Sequence, residues 1–239
     1  AACAPTEDAP IPDPTEQMQM PPDGAPTWYR DVKPIVAKRC QGCHTPGSIG
    51  PFPLLTYDEA KPKAALLADS VTARRMPPWK PSPDCQQFAP ERRLTDAEIA
   101  VFQAWSKAGA KEGNKADDKT PPPVQVSLPN PSATLDWGAA YTPDATKQDD
   151  YHCLLIDPRL SKDQDLVAYE FAPDQRHEVH HALIYSAPMA DAKAKEDATP
   201  GLGWACSGSS DVKNAQLVAT WVPGETYSEF PAGTGIRIP

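Results

Sequence analysis

Thirty of the 239 residues are proline, and this load limits the chain to short regular elements. Proline fixes φ and removes a backbone donor, so helix interiors and central strands tolerate it badly. We therefore expect many loops, turns and sheet edges. The length allows two compact units, and no apolar run reaches the roughly 18 residues that a membrane-spanning helix needs.

Two proline-rich stretches divide the chain. Residues 1–26 are rich in Pro, Asp and Glu and lack a periodic apolar pattern, which predicts a solvated tether. The stretch GAKEGNKADDKTPPP, from Gly109 to Pro123, is charged and ends in three prolines. We place a linker at 114–123, between a domain at 27–113 and a domain at 124–239.

The two domains differ in the spacing of their apolar residues. Before the linker, helices are predicted over 31–40, 62–75 and 95–109, the last opened by a Thr-x-x-Glu capping box. After the linker, short runs of branched and aromatic residues alternate with Pro, Gly, Asp and Ser clusters. The predicted fold class is α+β: a small all-α domain followed by an antiparallel β-sandwich of jelly-roll-like form.

The charge and the first residues bear on partners. The net charge of -9 argues against nucleic acid and against an anionic membrane surface as partners. The opening AAC resembles the end of a lipoprotein signal. Cys3 is therefore the candidate for a lipid anchor, with an unmodified cysteine as the alternative.

The stretch Cys40-Gln41-Gly42-Cys43-His44 has the spacing C-x-x-C-H. Two thiols at this spacing can add to the two vinyl groups of one haem, and the adjacent histidine can then reach the iron. A zinc half-site and a thioredoxin-like dithiol are the alternatives. A zinc site needs more ligands, and the only later cysteine of this domain is Cys85. A redox dithiol needs a βαβ setting, whereas these surroundings are helical, so we predict a covalently attached haem c.

The second axial ligand is predicted to be Met76, in the loop RMPPW. Prolines stiffen this loop, and a thioether ligand raises the haem potential into an electron-transfer range. The alternative is that Met76 fills an apolar gap. With CQGCH, MPPW and the closing helix FQAWSKAGAKEG, residues 27–113 resemble a small class I cytochrome c.

The stretch RHEVHHALIY, at 176–185, admits two interpretations. As H-E-x-x-H on a helix, it would place His177 and His181 on one face to bind zinc, with Glu178 as general base. The third zinc ligand would then be one of three later glutamates, Glu196, Glu225 or Glu229. Flanking prolines and the branched and aromatic residues instead favour a strand, which we predict over 178–186.

The strand interpretation agrees with a second resemblance. From about Tyr151 to Ile238 the chain resembles the N-terminal lobe of the copper type II, ascorbate-dependent monooxygenases. This family includes peptidylglycine α-hydroxylating monooxygenase and dopamine β-hydroxylase. The matching pieces occur in the family's order: YHC, VHHALIY, GWAC, ATWVPGE and FPAGTGIRI.

This resemblance implies a copper site and a disulfide. His180 and His181 would be two of the three histidines on the electron-accepting copper, and Cys153 would pair with Cys206. The third histidine and the second lobe, with its catalytic copper, have no counterpart in this sequence. The alternative is a histidine pair without a metal. His152 and His177 are interpreted as non-ligands, and Cys85 has no role unless it pairs with Cys3.

The expected function is that of an exported cytochrome, periplasmic or at the cell surface, that carries one electron through its haem. It would be the electron-input part of a copper monooxygenase-like protein, with no catalytic residue assigned. Its partner would be a redox protein or a membrane redox complex. The alternatives are a subunit of a larger redox complex with a metal-free β docking domain, and a zinc protease.

Overall fold

The computed structural model describes residues 24–81, 91–121 and 127–239. The chain divides into two compact units, 1–124 and 125–239. Within the described residues, the first unit contains only helices, and the second contains antiparallel strands and one α-helix. The protein is therefore α+β, as its sequence predicts. No helix in these ranges is both long enough and apolar enough to cross a bilayer.

The helices of the first unit are short. They are a π-helical turn Trp28–Val32 that continues into α1, Lys33–Arg39; α2, Tyr57–Ala60, which continues through a 3₁₀ turn, Lys61–Lys63, into α3, Ala64–Thr72; α4, Asp96–Lys107; and a 3₁₀ turn, Lys115–Asp117.

A side-chain capping box marks where α4 begins. At α4 the Thr95 hydroxyl accepts from the Glu98 amide at 3.1 Å, and the Glu98 carboxylate accepts from the Thr95 amide at 2.8 Å. This capping box confirms the predicted start of α4. The predicted start at Asp31 is wrong, because Asp31 lies inside the first turn and its carboxylate accepts from the Thr27 amide at 2.7 Å. The helix therefore begins at Trp28.

The second helical stretch also differs from its prediction. It begins at Tyr57 instead of Pro62, because Thr56 and Glu59 form another capping box. Its last helix, α3, ends at Thr72, before the predicted end at Arg75. The same Thr-x-x-Glu signature that marks α4 precedes α2 in the sequence and could have indicated this start.

Two tryptophans form the centre of the first unit. The rings of Trp28 and Trp105 lie 6.0 Å apart, and the two residues are 1% and 0% exposed. The Trp105 indole N–H donates to the Lys111 carbonyl at 2.9 Å, so no polar atom of this ring is left unpaired. Val36 from α1 and Phe102 from α4 are buried in the same cluster. The apolar face of α4 thus holds the π-helical turn and α1 in place.

The start and the end of the first unit are hydrogen-bonded to each other. The Trp28 amide donates to the Lys111 carbonyl at 2.9 Å, and the Tyr29 amide donates to the Glu112 carbonyl at 3.1 Å. The Lys33 ammonium lies 2.5 Å from the Asp118 carboxylate. The hydrogen bond from Lys33 lowers the pKa of Asp118 to about 2. We call these three contacts the terminal bridge.

In its described residues, 127–239, the second unit contains eight short strands and one α-helix. They are β1, His152–Cys153; β2, Gln164–Leu166; β3, Ala168–Glu170; β4, Ala182–Ser186; α5, Met189–Asp197; β5, Trp204–Ala205; β6, Gln216–Trp221; β7, Tyr227–Glu229; and β8, Ile236–Ile238.

The strands pair in a nested order. β2 pairs with β8, β3 with β7 and β4 with β6, and all of these pairs are antiparallel. Between the first two pairs, the Val167 carbonyl accepts from the Phe230 amide at 2.9 Å. The pairs β2–β8, β3–β7 and β4–β6 are each a separate two-stranded sheet. The segment between β4 and β6 contains α5 and β5.

A disulfide and a helix complete this unit. β1 pairs with β5, and Cys153 is bonded to Cys206 beside that ladder, which confirms the predicted disulfide. A cross-link over this sequence separation of 53 typically stabilises a domain by about 2–4 kcal/mol. The sequence prediction missed α5, although its residues MADAKAKED are mostly strong helix formers.

The capping box of α4 can be tested by mutation. Thr95→Ala should lower the free energy of unfolding by about 1 kcal/mol, because the Glu98 amide loses its side-chain acceptor. Urea unfolding of the purified protein measures this change. Thr95→Ser is the matched control and should retain most of the stability; an equal loss in both variants would contradict a role for the cap.

Candidate functional site

The stretch CQGCH begins where α1 ends and turns around a single carbonyl group. The Cys40 carbonyl accepts from the Cys43 amide at 3.1 Å and from the His44 amide at 2.9 Å. The Thr45 hydroxyl donates to the Gln41 carbonyl across the same turn. The two thiols and the imidazole are therefore presented by one tight loop at the end of a packed helix.

The imidazole of His44 is held by Phe52. Its Nδ1 lies 2.9 Å from the Phe52 carbonyl oxygen, and the two rings have centroids 5.0 Å apart. A carbonyl can only accept, so Nδ1 carries the hydrogen, and in the neutral ring Nε2 keeps the lone pair. This is the arrangement that prepares a histidine to bind a metal through Nε2.

The loop that follows His44 folds back over it. The Leu54 amide donates to the His44 carbonyl at 3.0 Å, and the Gly50 amide donates to the Cys43 carbonyl at 3.0 Å. A side chain at position 50 has no room, because a Cβ there would lie 2.6 Å from the Cys43 carbonyl oxygen and 2.9 Å from Nδ1 of His44. Gly50 thus allows the loop to pack closely against the imidazole.

The two thiols are held in the protonated form. Burial raises the pKa of Cys40 to about 12, and the neighbouring Cys43 and Glu98 act in the same direction. Burial also raises the pKa of Cys43, with Arg92 opposing the shift. A redox dithiol instead requires a thiol whose pKa is lowered. The electrostatics therefore weigh against the dithiol alternative.

Met76 belongs to a separate segment, the turn that follows α3. The Ser70 carbonyl accepts from the Arg75 amide at 3.0 Å and from the Met76 amide at 3.3 Å, and Arg74 forms an ion pair with Asp96 at 2.5 Å. The turn is thereby tied to the start of α4. The thioether side chain is 43% exposed. Its pairing with His44 as an axial ligand stays a prediction.

The residues of the first unit fit a haem. The donor set provides two thiols for the vinyl groups and one imidazole with a free Nε2, which is what covalent attachment and axial ligation require. Several large apolar side chains are also exposed in the described part of this unit. They are Ile49, Leu55, Leu66 and Met76.

The histidine pair of the second unit lies just before β4, so the predicted strand over 178–186 is too long. β4 begins at Ala182, whose partner is Trp221, the last residue of β6. Beyond Trp221, Pro223 cannot donate to a ladder. His180 and His181 therefore lie in the connection that leads into the strand. Their rings are adjacent, with centroids 5.3 Å apart.

The helix that H-E-x-x-H requires is not formed. The Gln175 carbonyl accepts from the Glu178 and Val179 amides, which closes a turn over these residues. The His177 Nε2 lies 3.4 Å from the Glu178 carboxylate, and both side chains are about half exposed. The two zinc-binding histidines are thus not presented one helical turn apart, and the zinc interpretation loses its structural basis.

His152 is held by contacts within the second unit. Its Nε2 lies 2.6 Å from the Leu202 carbonyl oxygen, and its ring is stacked on Tyr141 at a centroid distance of 3.9 Å.

Across the described residues, no three His, Cys, Asp or Glu side chains converge as a metal site. The His180–His181 pair therefore lacks a third such ligand in this part of the chain. Cys3 and Cys85 lie outside the described residues.

Comparison with known proteins gives no match. No family model matches the chain, and neither a curated protein nor a solved structure shows significant similarity to it.

Gly50 provides a test of the support for His44. Gly50→Ala should destabilise the first unit by about 1–3 kcal/mol, because the new Cβ overlaps the Cys43 carbonyl and the imidazole. Urea unfolding measures the loss, and ¹⁵N NMR of the imidazole should show that Nδ1 has lost its hydrogen bond.

Gly47→Ala is the comparison variant in the same loop. A Cβ there would meet no atom within 4 Å, although φ is +76°, so only backbone strain is added. It should leave the imidazole signals unchanged. Unchanged signals in Gly50→Ala would contradict the close packing of Gly50 on His44.

Proposed function

We propose that this protein is an exported electron carrier whose first unit is a c-type cytochrome domain. The observation that carries the proposal is the CQGCH loop, in which the Phe52 carbonyl holds Nδ1 of His44 and leaves Nε2 free. Bound haem would supply an iron that alternates between the ferric and ferrous states. The resemblance to class I cytochromes c agrees with this assignment.

Each residue of the loop would have a defined task. Cys40 and Cys43 would anchor the two vinyl groups through thioether bonds, and His44 would bind the iron through Nε2. Phe52 orients the imidazole and increases its basicity through the hydrogen bond to Nδ1. Met76 would be a second protein ligand of the iron. The loop packing at Gly50 would limit movement of His44.

We further propose that the second unit is the N-terminal lobe of a copper monooxygenase-like protein and receives the electron at a copper held by His180 and His181. The adjacent rings of these histidines and the nested order of strand pairs, as in a jelly roll, support this proposal. The Cys153–Cys206 disulfide agrees with an oxidising compartment such as the periplasm or the cell surface. A lipid on Cys3 would keep the protein at a membrane, near its redox partner.

One observation favours a second candidate function for this unit. Three-histidine copper sites need a third ligand, and no further His, Cys, Asp or Glu joins the pair among the described residues. The β unit would then be a metal-free docking module of a larger redox complex. Electron transfer by the first unit is common to both candidates.

Haem attachment is the decisive experiment. When the protein is exported from cells that attach haem c, it should gain the mass of one haem and give the pyridine haemochrome spectrum of a haem with two thioether bonds. A Cys40→Ser, Cys43→Ser variant should gain no covalent haem. Wild-type protein that emerges without haem would contradict the proposal.

The same preparation tests the second axial ligand. Ferric haem with His and Met ligands has a weak far-red absorption band, which Met76→Ala should remove while it lowers the midpoint potential. Met189→Ala is the control, because Met189 lies in the second unit and is similarly exposed. A band that persists in Met76→Ala would exclude Met76 as the ligand.

The copper assignment has its own test. Wild-type protein should take up one copper ion weakly, since the pair supplies only two protein ligands. His180→Ala, His181→Ala should abolish this uptake in equilibrium dialysis without changing the haem spectrum. His177→Ala is the control and should bind copper as the wild type does. Absence of copper from the wild type would leave the docking module as the better candidate.

A further inference from the structure

Phe52 contacts His44 through two different groups. Its carbonyl accepts the hydrogen bond from Nδ1, and its ring lies against the imidazole with a centroid distance of 5.0 Å. Because one residue provides both contacts, any interaction that holds the Phe52 ring also holds the imidazole. Phe52 is partly buried and packs against the core of the first unit.

The Lys63 side chain lies over the Phe52 ring. The Lys63 ammonium is 4.7 Å from the centroid of the Phe52 ring, in the range of a cation–π contact. The ammonium can lie no farther from the imidazole centre than the sum of the two centroid distances, 9.7 Å. The side chain is only partly exposed, so solvent screens the charge incompletely.

We propose that Lys63 is a positioning residue that acts through Phe52 to favour the reduced form of the centre bound by His44. This inference rests on the proposed haem. The physical reason is that a fixed positive charge opposes the extra positive charge of the ferric state more than the ferrous state. Lys63 also restrains the ring that holds His44, so its removal weakens both the charge effect and the restraint.

The chain contains a matched control in the same 3₁₀ turn. Lys61 places its ammonium 5.3 Å from the ring centroid of Tyr57. Tyr57 donates its hydroxyl hydrogen to the Ala110 carbonyl at 3.0 Å and has no hydrogen bond to His44. Substitution of Lys61 or Lys63 removes the same charge and one cation–π contact. Only the change at Lys63 affects the residue that holds the imidazole.

The experiment is redox titration of the haem-loaded full chain. Lys63→Gln should reduce the equilibrium constant for haem reduction by roughly two- to tenfold, whereas Lys63→Arg should restore it. Lys61→Gln should produce a clearly smaller change. The Lys63 effect should shrink between low and high salt, because the Debye length falls from about 10 Å at 0.1 M to about 3 Å at 1 M.

Three results would overturn the inference, and the first two are distinguishable from the third. Equal equilibrium constants for wild type and Lys63→Gln, or equal shifts for the Lys61 and Lys63 variants, would overturn the role of Lys63 alone. Wild-type protein without haem would overturn the proposed function and this inference with it. Thermal unfolding of the variants checks that Lys63→Gln folds. If Lys63→Gln is destabilised, the redox titration of Lys63→Arg is compared with that of the wild type instead.

Discussion

The packing of Trp28 against Trp105 is the interaction on which the rest of the first unit depends. It joins the π-helical turn before α1 to α4, and these elements are far apart in the sequence. α1 ends at the CQGCH loop, so the position of the two thiols and of His44 follows from this contact. Each buried ring contributes roughly 1.5–3 kcal/mol or more of apolar burial. The core of the first unit thus supports the loop that carries the two thiols and His44.

The sequence is most informative where chemistry is local. The capping box at Thr95 and the Cys153–Cys206 pairing could be predicted, because each depends on a short motif or on a resemblance carried by short motifs. Haem attachment at CQGCH stays a prediction. The hydrogen bond between His44 and Phe52 could not, since it depends on the path of a proline-rich loop with no periodic pattern. Lys63 was missed for the same reason, because its proposed role depends on a contact with Phe52, eleven positions earlier in the chain.

Strand lengths were the weakest part of the prediction. Branched and aromatic residues indicated a strand through the histidine pair, yet β4 starts only at Ala182 because its partner β6 ends at Trp221. A strand needs donors and acceptors on its neighbour, and the pattern of one segment cannot show where its partner stops. His180 and His181 accordingly lie in a connecting loop, where both rings can face the same side without bending a ladder.

The terminal bridge has a consequence for how this protein is assembled. Because Trp28 and Tyr29 are hydrogen-bonded to Lys111 and Glu112, the polypeptide enters and leaves the first unit at neighbouring points. A domain whose ends lie close together can be inserted into a longer chain, or circularly permuted, with little change to its core. Tension on the flanking segments would therefore load these hydrogen bonds before it reached the CQGCH loop.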